Sequence, residues 1–574
     1  MKRRSENALQ DVCRSLPASV RRPATGLRRA VRICRVQRLK RSIHHGCRQA
    51  TRLPVLAGFA LLASGALAAT APTLPAPPAE VGEWSAVFPF PTIPIHATLL
   101  PTGQVLFWDR HDFPTGDGHP RLWDPATGLF AKTAEPPPGH DLFCSGHTLL
   151  EDGRLFVAGG HFAVGQGQPF AATYDPFAPS WSMAPEMNAG RWYPTATTLA
   201  DGGALVLAGG DEEGAANTLP QIYRPERLTW DGLPEAERVL PYYPFVFQAP
   251  DGRAIVAGPD AMARRLELVP PGDWSALADS GHGLRSYGSA VSYGDGRILL
   301  AGGGDPPVAA TETIDLTQAH PAFRELPPMS SARRHFNLTL LPDGSALAIG
   351  GSSAAGFNNA TGAVLSTELW QPATESWSTL APIAVPRLYH SIALLLPDGR
   401  VLSAGGGHPS DAEHGDPDHF DGQVFSPPYL FRGPRPTILA APAVVRYGTT
   451  FELTFGPDAP VAAVTWLRLG STTHGFDMNQ RYLRLASSPT AQGAAAVAPG
   501  DPRLAPPGHY LMFALTADGV PSVGRIVRLT GAIFRDGFDS GATSAWSKSE
   551  TGEESRPAPP PSASAGTPPP TTPR

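Results

Sequence analysis

The chain has 574 residues, of which 17 % are charged, with 60 Gly, 64 Pro and a formal charge of −5. That length exceeds what one small core serves, and the turn-rich composition suits an all-β protein better than a helical one. Fifteen of the 46 Lys and Arg fall in residues 1–52 beside only two acids, so the remainder carries 31 basic against 49 acidic residues, near −18, and nucleic acid is excluded as a partner.

Residues 1–68 read as a basic leader and signal peptide. An apolar run over 53–62 continues through Ala63-Ser64-Gly65-Ala66-Leu67-Ala68, the positive, apolar, small-residue order of a secretory signal. Cleavage is expected near Ala68, giving a secreted or periplasmic protein. An uncleaved anchor is the alternative, but the run is short and rich in Ala and Gly, so no stable membrane span is expected. Cys13, Cys34 and Cys47 lie in the leader, which leaves Cys144 as the one cysteine of the exported protein. It cannot form an internal disulfide, and is either a small buried hydrophobe or chemically employed.

From Trp84 onward one unit recurs: an aromatic, a Pro-rich stretch, an apolar strand, a turn glycine and a second strand usually ending in Gly-Gly. Asp152-Gly153-Arg154-Leu155-Phe156-Val157-Ala158-Gly159-Gly160 and Asp398-Gly399-Arg400-Val401-Leu402-Ser403-Ala404-Gly405-Gly406 are examples. Turn glycines at 103, 153, 202, 252, 296, 344 and 399 are 44 to 55 residues apart. Asp-Gly hairpins at a period near fifty resemble the kelch repeat. The expected fold is all-β: a seven-bladed kelch-type β-propeller over 81–433, its last blade completed by the N-terminal strand. The recurring aromatics Trp84, Trp181, Trp230, Trp274, Phe323 and Trp377 should pack between blades. Residues 434–531 alternate apolar and polar positions without a repeat, as an immunoglobulin-like β-sandwich does. Residues 532–574 form a tail rich in Pro, Ser and Thr.

Nine residues before each turn glycine stand Cys144, Tyr193, Tyr243, Tyr287, His335 and His390, with Tyr389 alongside and His96 at a shifted offset in the first blade. Equivalent positions of successive blades form a ring, so these side chains should meet at one end of the channel. Ligand-type residues where Val or Ala would serve structure mark a candidate site. It is either a metal site or a pocket of hydrogen-bonding groups without metal. Imidazole and phenolate donors suit tetragonal Cu(II). Copper alone moves one electron, so a two-electron oxidation needs a second redox group, and a tyrosine joined to a cysteine sulfur fills that role.

Phe143-Cys144-Ser145-Gly146 and Arg191-Trp192-Tyr193-Pro194 resemble the crosslink segments of the copper-radical oxidases, the galactose oxidase and glyoxal oxidase family. Arg387-Leu388-Tyr389-His390-Ser391 is similar to the family's Tyr-His ligand pair. Thr473-His474-Gly475-Phe476-Asp477-Met478-Asn479-Gln480-Arg481 is similar to the loop of its early-set C-terminal domain that delivers the last histidine. The resemblance covers about 84–531. It implies one copper ion held by Tyr193, Tyr389, His390 and His474, and a Cys144–Tyr193 thioether radical cofactor. Tyr389 would be the axial ligand and base. It further implies oxidation of a small aldehyde, primary alcohol or carbohydrate by O2, with release of hydrogen peroxide, by a monomer.

Two departures bear on substrate. Asp211-Glu212-Glu213 stands where galactose oxidase has a stacking tryptophan, and Leu240-Pro241-Tyr242-Tyr243-Pro244-Phe245 offers no sugar-binding arginine. Arg191-Trp192-Tyr193-Pro194 and the run Tyr242-Tyr243-Pro244-Phe245 lean towards the glyoxal oxidase branch, with Tyr243, Tyr287 and His335 as pocket candidates. The alternatives are a catalytically inactive kelch module that binds carbohydrate or the cell surface, and a structural scaffold whose partner docks on the opposite face.

Overall fold

The computed structural model describes residues 76–110, 118–407 and 415–531. The leader, its cleavage point and the 532–574 tail lie outside the described residues. Helix is confined there to Pro78–Val81 and three 3-10 turns; the rest of the regular structure is strand.

The Asp-Gly turns form as their chemistry dictates. Asp152 Oδ1 accepts the Arg154 main-chain N–H at 3.0 Å and Asp343 Oδ1 that of Ser345 at 3.1 Å, a loop closure repeated at Asp201, Asp251 and Asp398. Each turn joins the two inner strands of a unit, such as Gly146–Leu149 with Leu155–Ala158 or Thr195–Thr198 with Ala204–Leu207. Two outer strands complete each one. Seven four-stranded antiparallel units of this kind follow one another among the described residues, compatible with the seven blades expected.

The seventh takes its outermost strand from the far end of the chain, as the place of Trp84 predicts. Glu83–Trp84 pairs antiparallel with Asp421–Ser426, Glu83 opposite Ser426. The recurring tryptophans lie between blades: Trp181 Nε1 donates to Ala134 O at 3.1 Å, Trp230 Nε1 to Pro185 O at 2.8 Å and Trp84 Nε1 to Ala381 O at 3.0 Å. Each thus buries apolar area while keeping its N–H satisfied.

The terminal glycines have a positional reason. At Gly159 (φ 76°) an added Cβ would sit 2.3 Å from Arg191 O, and at Gly350 (φ 74°) 2.1 Å from Arg387 O. The end of one blade's second strand is therefore the seat on which the next blade's site segment lies.

Beyond the propeller, Ile438–Ala440, Thr450–Phe455, Ser487–Pro489 and Gly493–Val497 form one sheet. Val444–Arg446, Ala463–Arg468, Tyr482–Leu485, Gly508–Leu515 and Arg525–Thr530 form the other. Phe451, Leu453, Val464, Trp466, Tyr510 and Met512 pack between them. From this sandwich a short hairpin, Ser471–Thr473 with Phe476–Asp477, reaches into the propeller and pairs with the first blade's inner strand, Thr473 opposite His96. The finger is held from several sides. Gln480 bridges Leu340 N (2.9 Å) and Leu338 O (2.8 Å), Arg481 Nη2 donates to Gln248 O (3.2 Å), and Asn479 Oδ1 accepts from Thr148 Oγ1 (2.9 Å).

Candidate active site

The residues nine positions before the turn glycines share one backbone feature. Cys144, Tyr193, Tyr243, Tyr287, His335 and His390 have φ of 64°, 65°, 46°, 58°, 58° and 66°. Non-glycine residues rarely enter this left-handed region, and they persist there only when their surroundings hold them. Main-chain bonds do part of the holding. Tyr193 N donates to Cys144 O at 2.9 Å, Tyr243 N to Tyr193 O at 3.0 Å and His335 N to Tyr287 O at 2.9 Å. Adjacent blades are thus linked through these positions themselves.

In four blades a buried arginine adds to this. Arg191 donates to Ala208 O (2.7 Å), Arg285 to Gly302 O (2.9 Å), Arg333 to Gly350 O (2.9 Å) and Arg387 to Gly405 O (2.9 Å). Three of them also pair with an acid on the third strand: Arg285 with Glu312, Arg333 with Glu368, Arg387 with Asp421. Each sits two residues before Tyr193, Tyr287, His335 or Tyr389. That Arg-x-Tyr/His spacing is legible in the sequence, and only its first and last members figured in the motifs above.

The ring side chains converge as expected. The Tyr193 and Tyr389 hydroxyls are in direct hydrogen-bond contact, and His474 Nε2 lies 3.0 Å from Tyr193 Oη. The His474 ring is 4.7 Å from that of His390, edge to face, and His390 lies against Tyr389 at 3.9 Å. The tautomer of His474 follows from its neighbour. Thr473 Oγ1 donates to Ile95 O (3.0 Å), so it accepts from His474 Nδ1 (2.7 Å), and the Nε2 lone pair faces the phenols. Cys144 is fully buried in the same apolar cluster as Tyr193 and Tyr389. His96, the outlier in spacing, stands at the edge of this group: it is stacked on Trp108, and its ring lies 5.7 Å from that of His474, edge to face.

Burial, then Cys144, Tyr389 and Tyr243, pushes the Tyr193 phenol well above its ordinary value, and burial likewise lifts Tyr389. Burial, with His147 nearby, lowers His474 to about 3. Among the described residues no group of three or more His, Cys, Asp or Glu is placed to share a metal. The convergent donors are two imidazoles and two phenols, and N and O donors in that proportion fit copper.

Trp192 is what sequence reasoning missed. Its indole lies flat on the Tyr193 ring, centroids 3.6 Å apart and 7° from parallel, and its Nε1 donates to His161 Nδ1 at 3.3 Å. Glu212, at the place of the relatives' stacking tryptophan, accepts the Gly190 N–H at 2.8 Å.

A cavity of about 260 Å³ opens beside Tyr193 and His474, lined further by Tyr242, Tyr243, Phe245, Tyr287 and Phe476 and by no charged side chain among the described residues. Of the pocket candidates, Tyr243 and Tyr287 line it. His335 stands one place further round, its ring 4.3 Å from that of Tyr287 and 5.3 Å from that of Tyr389.

Comparison with known proteins places this arrangement. Residues 306–429 match the family model of the glyoxal oxidase N-terminus, and 435–529 that of the galactose oxidase-like early set domain. Aldehyde oxidase GLOX of Vitis pseudoreticulata is 32 % identical over 448 residues, covering 68 % of this chain and 82 % of that one. Galactose oxidase of Gibberella zeae is 28 % identical over 497 residues, covering 79 % and 72 %. Among solved structures, a fungal alcohol oxidase of the AA5 family in complex with copper superposes with a TM-score of 0.71 at 27 % identity, covering 79 % of this chain and all of that one. A propeller with phenols and imidazoles gathered at the mouth of its channel, followed by an early-set sandwich, defines a class of redox enzyme. The chain belongs to the copper-radical oxidase family of galactose oxidase and glyoxal oxidase.

Proposed function

We propose that this protein is an exported, monomeric copper-radical oxidase of small uncharged aldehydes, taken as their hydrates, or of primary alcohols. In this reading the propeller spans 81–433 and the sandwich 434–531. The leader ends near Ala68. The observation that carries it is the meeting of Tyr193, Tyr389, His390 and His474 beside buried Cys144, with the His474 Nε2 lone pair turned inward.

Tyr193, Tyr389, His390 and His474 would hold one copper ion. When bound, the ion supplies a one-electron redox partner and an electrophile for the substrate oxygen. Cys144 Sγ and the Tyr193 ring, joined as a thioether, store the other oxidising equivalent. The Tyr389 oxygen takes the substrate hydroxyl proton, and the Tyr193 oxygen takes the hydrogen atom from the carbon. Trp192 covers one face of that ring and keeps solvent from it. Tyr243 and Tyr287 shape the cavity, and its uncharged lining favours a neutral substrate. In sum an aldehyde hydrate and O2 give a carboxylic acid and hydrogen peroxide; an alcohol and O2 give an aldehyde and hydrogen peroxide.

The test is copper titration followed by intact-mass measurement and a peroxide assay over methylglyoxal, glyoxal, glycolaldehyde, galactose and glycerol. One copper per chain, a loss of two hydrogens and peroxide from at least one of these are expected. A mature protein that binds no copper and keeps its full mass is an inactive module instead.

A further inference from the structure

The main-chain links through the left-handed positions run from Tyr243 to Tyr193 and from Tyr193 to Cys144. At Cys144 the pattern changes. Among the described residues the first blade has no non-glycine residue at positive φ, and the Cys144 N–H donates to a side chain, His96 Nε2, at 3.1 Å.

That one bond fixes a whole line of protons. Because His96 Nε2 accepts, His96 must be neutral with its proton on Nδ1, which donates to His147 Nε2 at 3.1 Å. His147 is then also neutral, with its proton on Nδ1, which donates to Ser471 Oγ at 2.5 Å. Ser471 Oγ donates in turn to His147 O at 3.1 Å and meets Thr98 Oγ1 at 2.9 Å. His96, His147 and Ser471 are each 0 % exposed. The His96 ring lies 4.9 Å from Trp108 at 5° and the His147 ring 4.9 Å from it at 63°. Trp108 is itself anchored by Nε1 to Leu142 O at 3.0 Å. Burial holds both imidazoles below their ordinary value, His147 at about 3, in keeping with neutral rings.

Among the described residues every member of the line is fully buried. Its two ends are informative. One is the backbone of the cysteine. The other is the strand Ser471–Thr473, which carries His474 into the channel. We propose that His96, His147 and Ser471 form a positioning line that sets Cys144 for its bond to the Tyr193 ring and ties that bond's geometry to the finger bearing His474.

The proposal rests on the thioether reading above. The step it serves breaks the Cys144 S–H bond and one Tyr193 ring C–H bond and forms a C–S bond. Two protons and two electrons leave and are taken up by dioxygen, giving hydrogen peroxide. His96 bonds the Cys144 backbone N–H and His147 bonds His96, so the line acts by holding the backbone from which the sulfur projects.

The test follows crosslinking directly. Copper-free wild type, His147→Leu, His147→Gln and Ser471→Ala are mixed with Cu(II) in air, and the two-hydrogen loss is timed by intact mass alongside the melting temperature of each copper-free protein. Gln can place an acceptor near the site of Nε2, so it restores the bond from His96; Leu cannot. Expected is a roughly tenfold or greater slowing in His147→Leu, a rate within roughly threefold of wild type in His147→Gln, and an intermediate rate in Ser471→Ala, in keeping with loss of one or two buried hydrogen bonds. Rates that follow melting temperature across the set, with no rescue by Gln, overturn the proposal, as does a folded His147→Leu that crosslinks like wild type. Should His147→Leu not fold, a Ser471→Ala protein with wild-type rate overturns it and a slowed one supports it. Wild type that never loses the two hydrogens removes the thioether reading itself, which separates that failure from failure of the line.

Discussion

The Trp192 indole covers the Tyr193 phenol at 3.6 Å, although the two residues are neighbours in the chain. Successive side chains of an extended segment point to opposite faces. The left-handed φ of 65° at Tyr193 turns the second ring back over the first. An aromatic pair of this kind is worth up to about 1.5 kcal/mol beyond its buried area. Trp192→Ala is therefore expected to form the thioether, seen by mass, yet to shorten the lifetime of the oxidised protein's visible absorption roughly tenfold. A variant whose absorption decays at the wild-type rate removes Trp192 from this role.

Tyr389 and His474 should separate chemistry from metal binding. Tyr389→Phe keeps the two imidazoles and the crosslinking pair, so copper and the mass loss are retained while turnover falls by roughly 10²- to 10⁴-fold, the usual loss for a general base. His474→Ala removes the inward lone pair and is expected to lose stoichiometric copper. Metal analysis beside steady-state peroxide release distinguishes the two; equal copper contents and equal rates in both variants contradict the assignment.

The uncharged cavity makes a prediction about substrate charge. Glyoxal and glyoxylate differ in one carboxylate, and burying that group without a partner costs several kcal/mol. Glyoxylate should show a kcat/KM lower by roughly two orders of magnitude, about 2.7 kcal/mol. His335→Ala, which removes a ring packed on both Tyr287 and Tyr389, should change the order of preference across the panel. Identical relative rates exclude His335 from the pocket.

Acid should weaken the copper-free fold. His140 and His509 are lowered by burial from 6.5 to about 4, and His147 to about 3. With folded values below the unfolded one, the unfolded chain takes up these protons first. The stabilisation is complete above pH 6.5 and is lost progressively as pH falls towards 4 and then 3. Melting temperatures from pH 7 to 4 should decline, and His140→Gln, which can still donate to Gly159 O as His140 Nε2 does at 2.8 Å, should flatten the decline. A slope unchanged by that substitution assigns it to other groups.

Much of this was readable beforehand because the repeat is a ruler. Counting back from a turn glycine gave Cys144, Tyr193, Tyr243, Tyr287, His335 and His390, and all six occupy one unusual backbone conformation. The closing strand followed from Trp84 preceding the first unit. What sequence could not give was anything set by that conformation. Trp192 was in plain view beside Tyr193, but its side was fixed by a φ angle no composition reveals. His96 fell off the count by its offset, and its bond to the amide of Cys144 shows only in the structure. The Arg-x-Tyr/His spacing can be read in the sequence, but what Arg285 and Arg333 do shows only when their guanidinium groups are seen on carbonyls of their own blade.

The closing strand also sets an order of assembly. Ser85 Oγ accepts the N–H of Val424, 339 residues further along, and His474 comes later still. A chain emerging from the ribosome therefore has an unsealed circle until Val424 has been made, and lacks the His474 imidazole until the sandwich that carries it has followed. On the proposed assignment such a precursor is short of one copper donor, so oxidant production would begin only once the sandwich finger has been drawn into the propeller.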